Sequence, residues 1–489
     1  MMLKGRHPIF IDETTESLRN DFIRLISSIN TALNLHQDNH DEIVFLMEYK
    51  NGRQAILDKE KDVRPEISNK LVINHAQMAT RNIVGYFLGT PIQYTNVSAD
   101  KQEQIDTLNR FVSYEDKAFV DEAIGEYQSI CGTAYRMIYT DGDIDEVPFE
   151  DKALNPATTL VAYENSIAEK PLFGIYYFDK WDGVNIIGRK VYCYTSFGVY
   201  EFLTDESLEV KEEDLIRFTP YDIGGVPIIE YPNNVWRIGD WELQIGLMDY
   251  INQLGSSRLD DIDQIIQSLL VFINADIDPD KYDEMRAKGI VMLKNITNMK
   301  TEVKNINNTL DQTGVHQFSE QLEKYLYALI GIPDRDNRNG GGGDTGTAVE
   351  LRDGWADLEI VARTKEHSFK KSEKRSLNII LTILKNKLNL DLSILDIDIK
   401  FSRNKNSNLL VKAQGYANLL ATKTLAPADC LTIVDLVSDV NEYISRGEAF
   451  WGDQFAGKAV ETNYNPANFN GVPQDDSEKS QSKPVNTEE

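Results

Sequence analysis

NRNGGGGDTGTAVELR, residues 337–352, lies between two helical regions of different character. Residues 340–343 are four consecutive glycines, whose permissive backbone favours a flexible loop. Thr347 and Glu350 then have the T-x-x-E spacing of a capping box, which predicts that a helix begins there. The stretch is therefore predicted to be a loop that joins a helix pair before it to one long helix after it.

A glycine-rich turn before a helix is also how many phosphate-binding loops are built. Gly341 and Gly346 have the separation of the two glycines in G-x-x-x-x-G-K-[ST], but Thr347 stands where that motif requires lysine. The loop also follows a helical segment that ends at Pro333, and no buried strand leads into it. We therefore expect no nucleotide site and no cofactor.

The region before the loop reads as two helices around an insertion. A helix is predicted in residues 238–274, with an apolar face formed by Ile245, Met248, Ile251, Leu259, Ile262, Ile266 and Leu269. A second is predicted in residues 312–334, with Val315, Phe318, Leu322 and Leu329 on one stripe. The insertion between them, residues 275–311, has mixed polarity and balanced charge.

After the loop, the helical pattern persists from Thr347 to about Leu388, interrupted only by Gly354. At 1.5 Å per residue this is a rod of roughly 60 Å. A short strand in residues 395–403 leads into a helical C-terminal region. Residues 464–489 are polar and poor in aliphatic side chains, so this tail is expected to be disordered.

The N-terminal part combines helices and antiparallel strands, which makes the fold class α+β. Helices are predicted in residues 14–35 and 69–89, with the segment HQDNHDE, residues 36–42, as a polar linker after the first. Between residues 132 and 221, short segments rich in Tyr, Val and Ile alternate with turn residues, as in antiparallel strands. These segments are TAYRMIYT, LVAYE, LFGIYYF, RKVYCYT and GVYEFL.

Composition restricts the possible functions. The 489 residues include 51 basic and 78 acidic residues, a formal net charge of -27. Such a surface repels the DNA duplex, so tight binding of DNA over a basic face is not expected.

The three cysteines, Cys131, Cys193 and Cys430, have no C-x-x-C pairing and are predicted to be reduced and buried. No apolar run is long enough to cross a membrane and the N-terminus lacks a signal sequence, so cytoplasmic synthesis is expected.

Three clusters are candidates for chemistry or nucleic-acid contact. His36 and His40 are four residues apart, but Gln37 stands where a zincin would have its glutamate. In a helix, adjacent carboxylates diverge by about 100°, so we expect Asp260, Asp261 and Asp263 to form a solvated or channel-facing surface. The basic run of residues 363–375 is typical of a solvated helix face, with contact to nucleic acid or an acidic neighbouring subunit left open. We expect no catalytic or metal-binding residues; a metal-dependent nuclease that uses the acidic clusters is the alternative.

Three phrases in this order carry a resemblance to a known family: NIVGYFLGTPIQY (residues 82–94), GEYQSICGTAYRMIY (residues 125–139) and GGVPIIEYPNN (residues 224–234). Together with the helix pair and the glycine loop, the sequence resembles the portal protein of tailed bacteriophages, in the branch from long-tailed phages of Gram-positive hosts. The resemblance covers nearly the whole chain, from about Glu42 onward. Another head-to-tail ring protein, such as an adaptor, remains an alternative.

The resemblance implies a division of the chain into the parts of a portal subunit. They are a helical and antiparallel-β wing (residues 1–237), a helical-hairpin stem (238–274 and 312–334), an α/β clip (275–311), a tunnel loop (335–346), a long kinked helix with a short strand (347–400), a helical crown (401–463) and the tail (464–489).

The resemblance also implies a ring of twelve copies at one capsid vertex of the virion, assembled in the host cytoplasm. Its partners would be terminase, a head-to-tail adaptor, scaffolding and major capsid proteins, and double-stranded DNA passing through the channel, with no membrane involved. The tunnel-loop residues in the DNA path would be Arg338, Asn339, Gly340, Gly341, Gly342, Gly343, Asp344, Thr345 and Gly346. Asp260, Asp261 and Asp263 of the stem would face the channel.

Overall fold

The computed structural model describes residues 5–62, 65–97, 101–140, 147–205, 207–266, 270–273, 275–276, 294–295, 302–305, 312–333, 355–403, 409–434, 437 and 440–451. The chain divides into two compact units, residues 1–411 and residues 412–489.

Helices and strands alternate in blocks along the first unit. Its α-helices are α1 (Thr15–Asn20), α2 (Phe22–Lys50), α3 (His75–Phe87), α4 (Gln102–Tyr114), α5 (Lys117–Cys131), α6 (Ile245–Ile266), α7 (Gln312–Ile330) and α8 (Trp355–Leu388). Its strands are β1 (Ile9–Ile11), β2 (Gln93–Asn96), β3 (Thr133–Tyr139), β4 (Glu150–Leu154), β5 (Thr159–Glu164), β6 (Pro171–Asp182), β7 (Asn185–Thr195), β8 (Gly198–Thr204), β9 (Leu215–Pro220), β10 (Ile228–Pro232), β11 (Leu270–Ile273), β12 (Ala275–Asp276), β13 (Lys294–Asn295), β14 (Glu302–Asn305) and β15 (Ile397–Lys400).

Two sheets of three or more strands make up most of the β part of the first unit, beside the two-stranded pairs β11-β14, β12-β13 and β15-β2. The larger has six strands in the order β1-β5-β6-β7-β8-β9, and all neighbours are antiparallel except β1 and β5. The smaller has the order β10-β3-β4 and is antiparallel. This arrangement confirms the α+β class and the five predicted strands. It adds strands such as β4 and β9, whose sequences EDKAL and LIRFTP carry too many charged residues or a terminal proline to stand out.

Helix α2 lies on the six-stranded sheet. Leu25, Ile29 and Leu33 of α2 share a buried core with Phe173 of β6 and Phe202 of β8. A fully buried aliphatic or aromatic side chain contributes about 1.5–3 kcal/mol, so this face fixes the helix on the sheet.

The predicted polar linker at residues 36–42 is wrong, because α2 runs without a break from Phe22 to Lys50. No glycine or proline interrupts this segment. Gln37, Asp38 and Asp41 are exposed, and the buried His36 and Asn39 find hydrogen-bond partners. The Asn39 amide, for example, accepts from the His7 N–H at 2.9 Å and donates to the His7 carbonyl at 2.9 Å. Burial of a satisfied polar side chain is compatible with a helix interior.

The helix predicted from Asn69 begins instead at His75. The preceding backbone is held in another way: the Leu71 N–H donates to Ser256 at 2.9 Å and the Ile73 N–H to Asn252 at 2.8 Å. Side chains of α6 thus take the backbone donors that a helical turn would have used.

Helix α6 is shorter than the predicted helix of residues 238–274. It begins at Ile245 and ends at Ile266, and residues 270–273 form β11, which pairs antiparallel with β14. The run LVFI is apolar and β-branched and suits a strand as well as a helix, so periodicity alone does not distinguish the two.

The long helix α8 is described from Trp355 to Leu388, and its 34 residues span roughly 50 Å. Its predicted start at Thr347 lies outside the described residues, as does the kink predicted near Gly354. The predicted strand after it is confirmed as β15, which pairs antiparallel with β2.

The second unit, residues 412–489, is helical where it is described. Helix α9 (Leu409–Ala421) leads into it, followed by α10 (Pro427–Val434) and α11 (Val440–Trp451). Cys430 is buried in this unit, and Cys131 and Cys193 in the first; all three are free thiols, as predicted. The predicted disordered tail lies outside the described residues.

Two glycines in helical segments provide a matched test of the fold. Gly132 ends α5 with a φ of +74°, and a Cβ there would collide with the Arg237 carbonyl, whereas a Cβ at Gly85 within α3 meets no atom. We expect G132A to lower the free energy of unfolding by about 2 kcal/mol or more. G85A should raise it by up to about 1 kcal/mol. Urea unfolding followed by circular dichroism checks both, and equal effects would contradict the assigned backbone.

Candidate functional site at the helix pair

Helices α6 and α7 form a pair, and the start of α6 and the end of α7 are buried in the same hydrophobic core. Met248 and Ile251 near the start of α6 are buried in the same core as Leu326 and Ile330 near the end of α7. Trp241, just before α6, is fully buried there, and its indole N–H donates to the Thr80 hydroxyl at 2.9 Å. The first half of α6 and the last half of α7 are therefore anchored in the core.

The predicted apolar stripes of this pair do not pack fully inside the subunit. In α6, Leu259 and Ile262 are 38% and 40% exposed. In α7, Phe318 and Leu329 of the predicted stripe are 45% and 64% exposed. The buried residues of α7 are instead Leu326 and Ile330. The helix pair thus presents an apolar surface that the described residues of one subunit leave uncovered.

A cluster around Asp260, called here the Asp260 clamp, fixes the outer half of α6. Asp260 Oδ2 lies 2.9 Å from Lys59 Nζ and 3.1 Å from Lys61 Nζ. Its Oδ1 accepts from the Asn69 N–H at 2.6 Å and from the Asn69 amide at 3.0 Å. Burial alone would raise the pKa of this carboxyl, but the bonds from Asn69, Lys59 and Lys61 outweigh it and lower the pKa to about 2.

The other two candidate carboxylates differ from Asp260. Asp263 Oδ2 accepts from the Asn69 amide at 2.7 Å, because residues three apart share a helix face. Asp261 is half-buried and lies on a different side of the helix. The expectation of a solvated surface is wrong for Asp260, whose side chain is only 4% exposed. That this part of α6 faces a channel remains a prediction.

The Asp260 clamp is one end of a polar row that the sequence analysis missed. Asn252, Ser256, Asp260 and Asp263 recur at helical spacing along α6, and all four bind the segment of residues 59–73. A polar stripe at this spacing, beside an apolar one, is a signal that the sequence does contain. The row shows that α6 is bound along one face by an extended segment.

Helix α8 is fixed by a buried group of charges around Glu373. The Glu373 carboxylate accepts from Arg136 Nη1 at 3.0 Å and from the Tyr231 hydroxyl at 2.7 Å. The Tyr94 hydroxyl also donates to it, and Lys117 Nζ lies 3.0 Å away. Burial would raise the pKa of this carboxyl, but the charges of Arg136 and Lys117 and these hydrogen bonds lower it to about 2.

Asp121 and Asp151 complete this group. Asp121 accepts from Lys117 at 2.6 and 2.8 Å and from Arg136. Asp151 lies 3.5 Å from Arg136 Nε, and burial raises its pKa to about 6 despite the lowering by Arg136 and Lys117. Because the native state then binds this proton more tightly than the unfolded chain, Asp151 makes the protein less stable as pH rises from about 4 to about 6.

The basic run of residues 363–375 is only partly the solvated face that was expected. Lys365 is buried, and its Nζ lies 2.7 Å from Asp240 and 2.6 Å from the Asn233 side-chain oxygen. Glu373 points into the core, whereas Lys371 and Lys374 are exposed. The run thus has an inner face that anchors the helix and an outer cationic face.

His36 and His40 do not form a metal site. Both rings bind the Ala157 carbonyl, from His36 Nε2 at 3.2 Å and His40 Nδ1 at 2.7 Å. Burial lowers the pKa of His36 to about 4, so the ring is neutral near pH 7. Among the residues that the structure describes, no group of three His, Cys, Asp or Glu side chains could hold a metal ion.

The predicted tunnel-loop residues, 338–346, lie outside the described residues, so their assignment remains a prediction. Within the described ranges, no helix is both long and apolar enough to cross a membrane.

One comparison with known proteins shows the family of the chain. Residues 30–446 match the family described as "Phage portal protein, SPP1 Gp6-like". No match was found among curated proteins. Two solved structures are similar to 74% of the chain at 12% identity: the "Neck of empty GTA particle computed with C6 symmetry" (90% of that chain, TM-score 0.43) and the "Neck of native GTA particle computed with C12 symmetry" (89% of that chain, TM-score 0.39). Both likenesses are too distant to add to the family match.

The Asp260 clamp can be tested against its neighbour on the same helix. In D260N the backbone at Asn69 should be held less firmly on α6, because a neutral amide no longer pairs with the ammonium groups of Lys59 and Lys61 and has one oxygen in place of two. The bonds from Ser256 and Asn252 to Leu71 and Ile73 stay in place. Hydrogen exchange at the Asn69 amide should accelerate at least tenfold, while D261N should leave it unchanged. Equal exchange in D260N and wild type would contradict the clamp.

Proposed function

The chain belongs to the SPP1 Gp6-like family of phage portal proteins, and we propose that twelve copies form a ring around a DNA channel at one capsid vertex. The observation that carries this proposal is the family match over residues 30–446. We further propose that the phage is long-tailed and infects a Gram-positive host, and that the ring is assembled in the host cytoplasm and remains in the virion.

The uncovered surface of the helix pair supports a ring. Leu259, Ile262, Phe318 and Leu329 lie on helices anchored in the core only at one end, and all are at least 38% exposed. Leu259 and Ile262 line one groove with Val315 of α7, and an exposed apolar surface of this kind is typical of an interface. In a closed ring, a subunit surface meets a different surface of the next copy, which would cover these side chains without leaving an open end.

The charge of the chain supports a channel through which DNA slides. Tight binding of DNA requires basic groups that release counterions from the phosphates. The chain has a formal net charge of -27, and several of its basic residues, such as Lys59, Lys61 and Lys365, are engaged by carboxylates of the same subunit. A channel surface with few unpaired basic side chains would let the duplex slide past.

The parts of the subunit then take the following roles. The stem helices, residues 238–274 and 312–334, line the channel, and residues 335–346 form a tunnel loop close to the DNA. The wing (residues 1–237), the clip (275–311), the long helix and strand (347–400) and the crown (401–463) build the rest of the ring. Terminase drives DNA through it, a head-to-tail adaptor docks on it, and scaffolding and major capsid proteins place it at the vertex.

The role proposed for the chain is structural rather than enzymatic. A nuclease built on Asp260 would need a free carboxylate for a divalent cation. Asp260 instead has both oxygens occupied by two lysines and an asparagine.

Purified protein should assemble into closed rings with a central opening wide enough for a DNA duplex. A ring of twelve chains of 55.6 kDa has a mass of about 670 kDa. Electron microscopy and mass photometry at micromolar concentration measure both properties. A chain that stays monomeric, or stops at a two-fold dimer, would contradict the proposed function.

A further inference from the structure

Two large apolar side chains stand out on a short loop after β10. Val235 is 86% exposed and Trp236 is 74% exposed, whereas Tyr231 and Trp241 on either side are fully buried. Exposed tryptophan is uncommon on a surface that touches nothing, because the side chain buries 150–250 Å² when it is covered. We call Val235 and Trp236 the knob.

The loop that carries the knob is rigid. The Asn234 side-chain oxygen accepts from the Trp236 N–H at 3.0 Å and from the Ile238 N–H at 3.1 Å, and its amide donates to the Ile238 carbonyl at 2.7 Å. Arg237 has a φ of +53° and binds the buried Glu230 with two bonds of 2.6 and 3.0 Å. A preorganised loop loses little conformational entropy on binding, which favours a docking role.

A cavity lies beside β10 and is lined by Ile228, Ile229 and Glu230 of that strand. It has a volume of about 400 Å³ and is lined mainly by aliphatic side chains, among them Val161, Val226, Ile228, Ile379 and Ile394. Pockets that take small organic groups have volumes of about 300–1,000 Å³, so the cavity has room for an indole ring. We call it the β10 pocket.

The β10 pocket also offers cationic groups to an aromatic ring. Lys374 and Arg375 of α8 belong to its lining, and neither forms an ion pair with a described residue. Lysine and arginine are attracted to the face of an indole, by about 0.5–2 kcal/mol. An aliphatic floor with unpaired cations therefore suits tryptophan better than it suits an aliphatic side chain.

The knob does not fill the pocket of its own subunit. Val235 and Trp236 are 86% and 74% exposed, and neither belongs to the lining of the pocket. The next residue, Arg237, binds the pocket-lining Glu230 with two bonds of 2.6 and 3.0 Å, which hold the loop in this exposed position. Insertion of Trp236 into a β10 pocket therefore calls for a second molecule.

We infer that Trp236 of one copy of this chain inserts into the β10 pocket of the next copy, with Lys374 or Arg375 stacked on the indole. This inference rests on the proposed ring, since a knob and a pocket at different places on one subunit give the head-to-tail contact that closes rings. Each copy thus completes the neighbouring pocket with its own tryptophan.

Crosslinking of single-cysteine variants tests the contact directly. V235C places a thiol in the knob and N378C places one in the pocket lining, and the native Cys131, Cys193 and Cys430 are buried. A short bis-maleimide should give a covalent dimer when the two variants are mixed, and none with either variant alone. A chain with both substitutions should give a ladder of covalent oligomers. V184C mixed with N378C is the control, because Val184 is 88% exposed at the turn between β6 and β7 and does not line the pocket.

Ring stability gives the second readout. W236A should raise the concentration at which rings dissociate at least tenfold, while W181A, which removes another exposed tryptophan, should leave it unchanged. Rings of wild-type protein that give no V235C–N378C crosslink, or that W236A leaves equally stable, would overturn the inference and leave the proposed function intact. Wild-type protein that forms no ring would instead overturn the proposed function.

Discussion

One buried carboxylate joins the long helix to the rest of the first unit. Glu373 of α8 is fully buried and receives hydrogen bonds or charge from β2, β3, α5 and β10, through Tyr94, Arg136, Lys117 and Tyr231. Breaking a buried ion pair by removing one partner costs about 3–5 kcal/mol, so a slip of α8 by a single residue would leave this charge unpaired. The position of α8 along its axis is therefore fixed. Because the start of α6 and the end of α7 pack in the same core as α8, their position is fixed as well.

The buried charge clusters also change the surface that the protein presents. Lys117, Arg136 and Lys365 are buried against carboxylates, and Lys59 and Lys61 are engaged by Asp260. Each basic residue held in this way is unavailable to an external phosphate. A ring built from such subunits would combine firm internal ion pairs with weak attraction for DNA. In the proposed ring, the same internal ion pairs would stabilise the subunit and leave fewer basic side chains to hold the duplex.

Local patterns in the sequence predicted the element types well. Strands β3 and β5 to β8, the helix pair and the long helix follow from residue periodicity, which depends only on neighbours along the chain. Three predictions were wrong because a distant contact decided them. HQDNHDE is helical because its buried polar side chains find partners in the backbone of His7 and Ala157. The helix before His75 is absent because α6 takes its backbone donors. Asp260 is buried because two lysines about 200 residues away converge on it.

Pairs such as Glu373 and Arg136, 237 residues apart, have no signature in a single sequence. The glycine loop lies outside the described residues, so its place in the DNA path rests on the resemblance alone.

A double-mutant cycle between Glu373 and Arg136 tests the central claim most directly. The free energy of unfolding is measured for wild type, E373Q, R136M and the double variant. If the buried pair fixes α8, each single change leaves the buried group with unbalanced charge, because Lys117, Asp121 and Asp151 remain around the residue that is kept. The double variant then loses less stability than the sum of both single losses by about 2 kcal/mol or more. Additive losses would show that the two residues act independently and would contradict this account of how the first unit is held together.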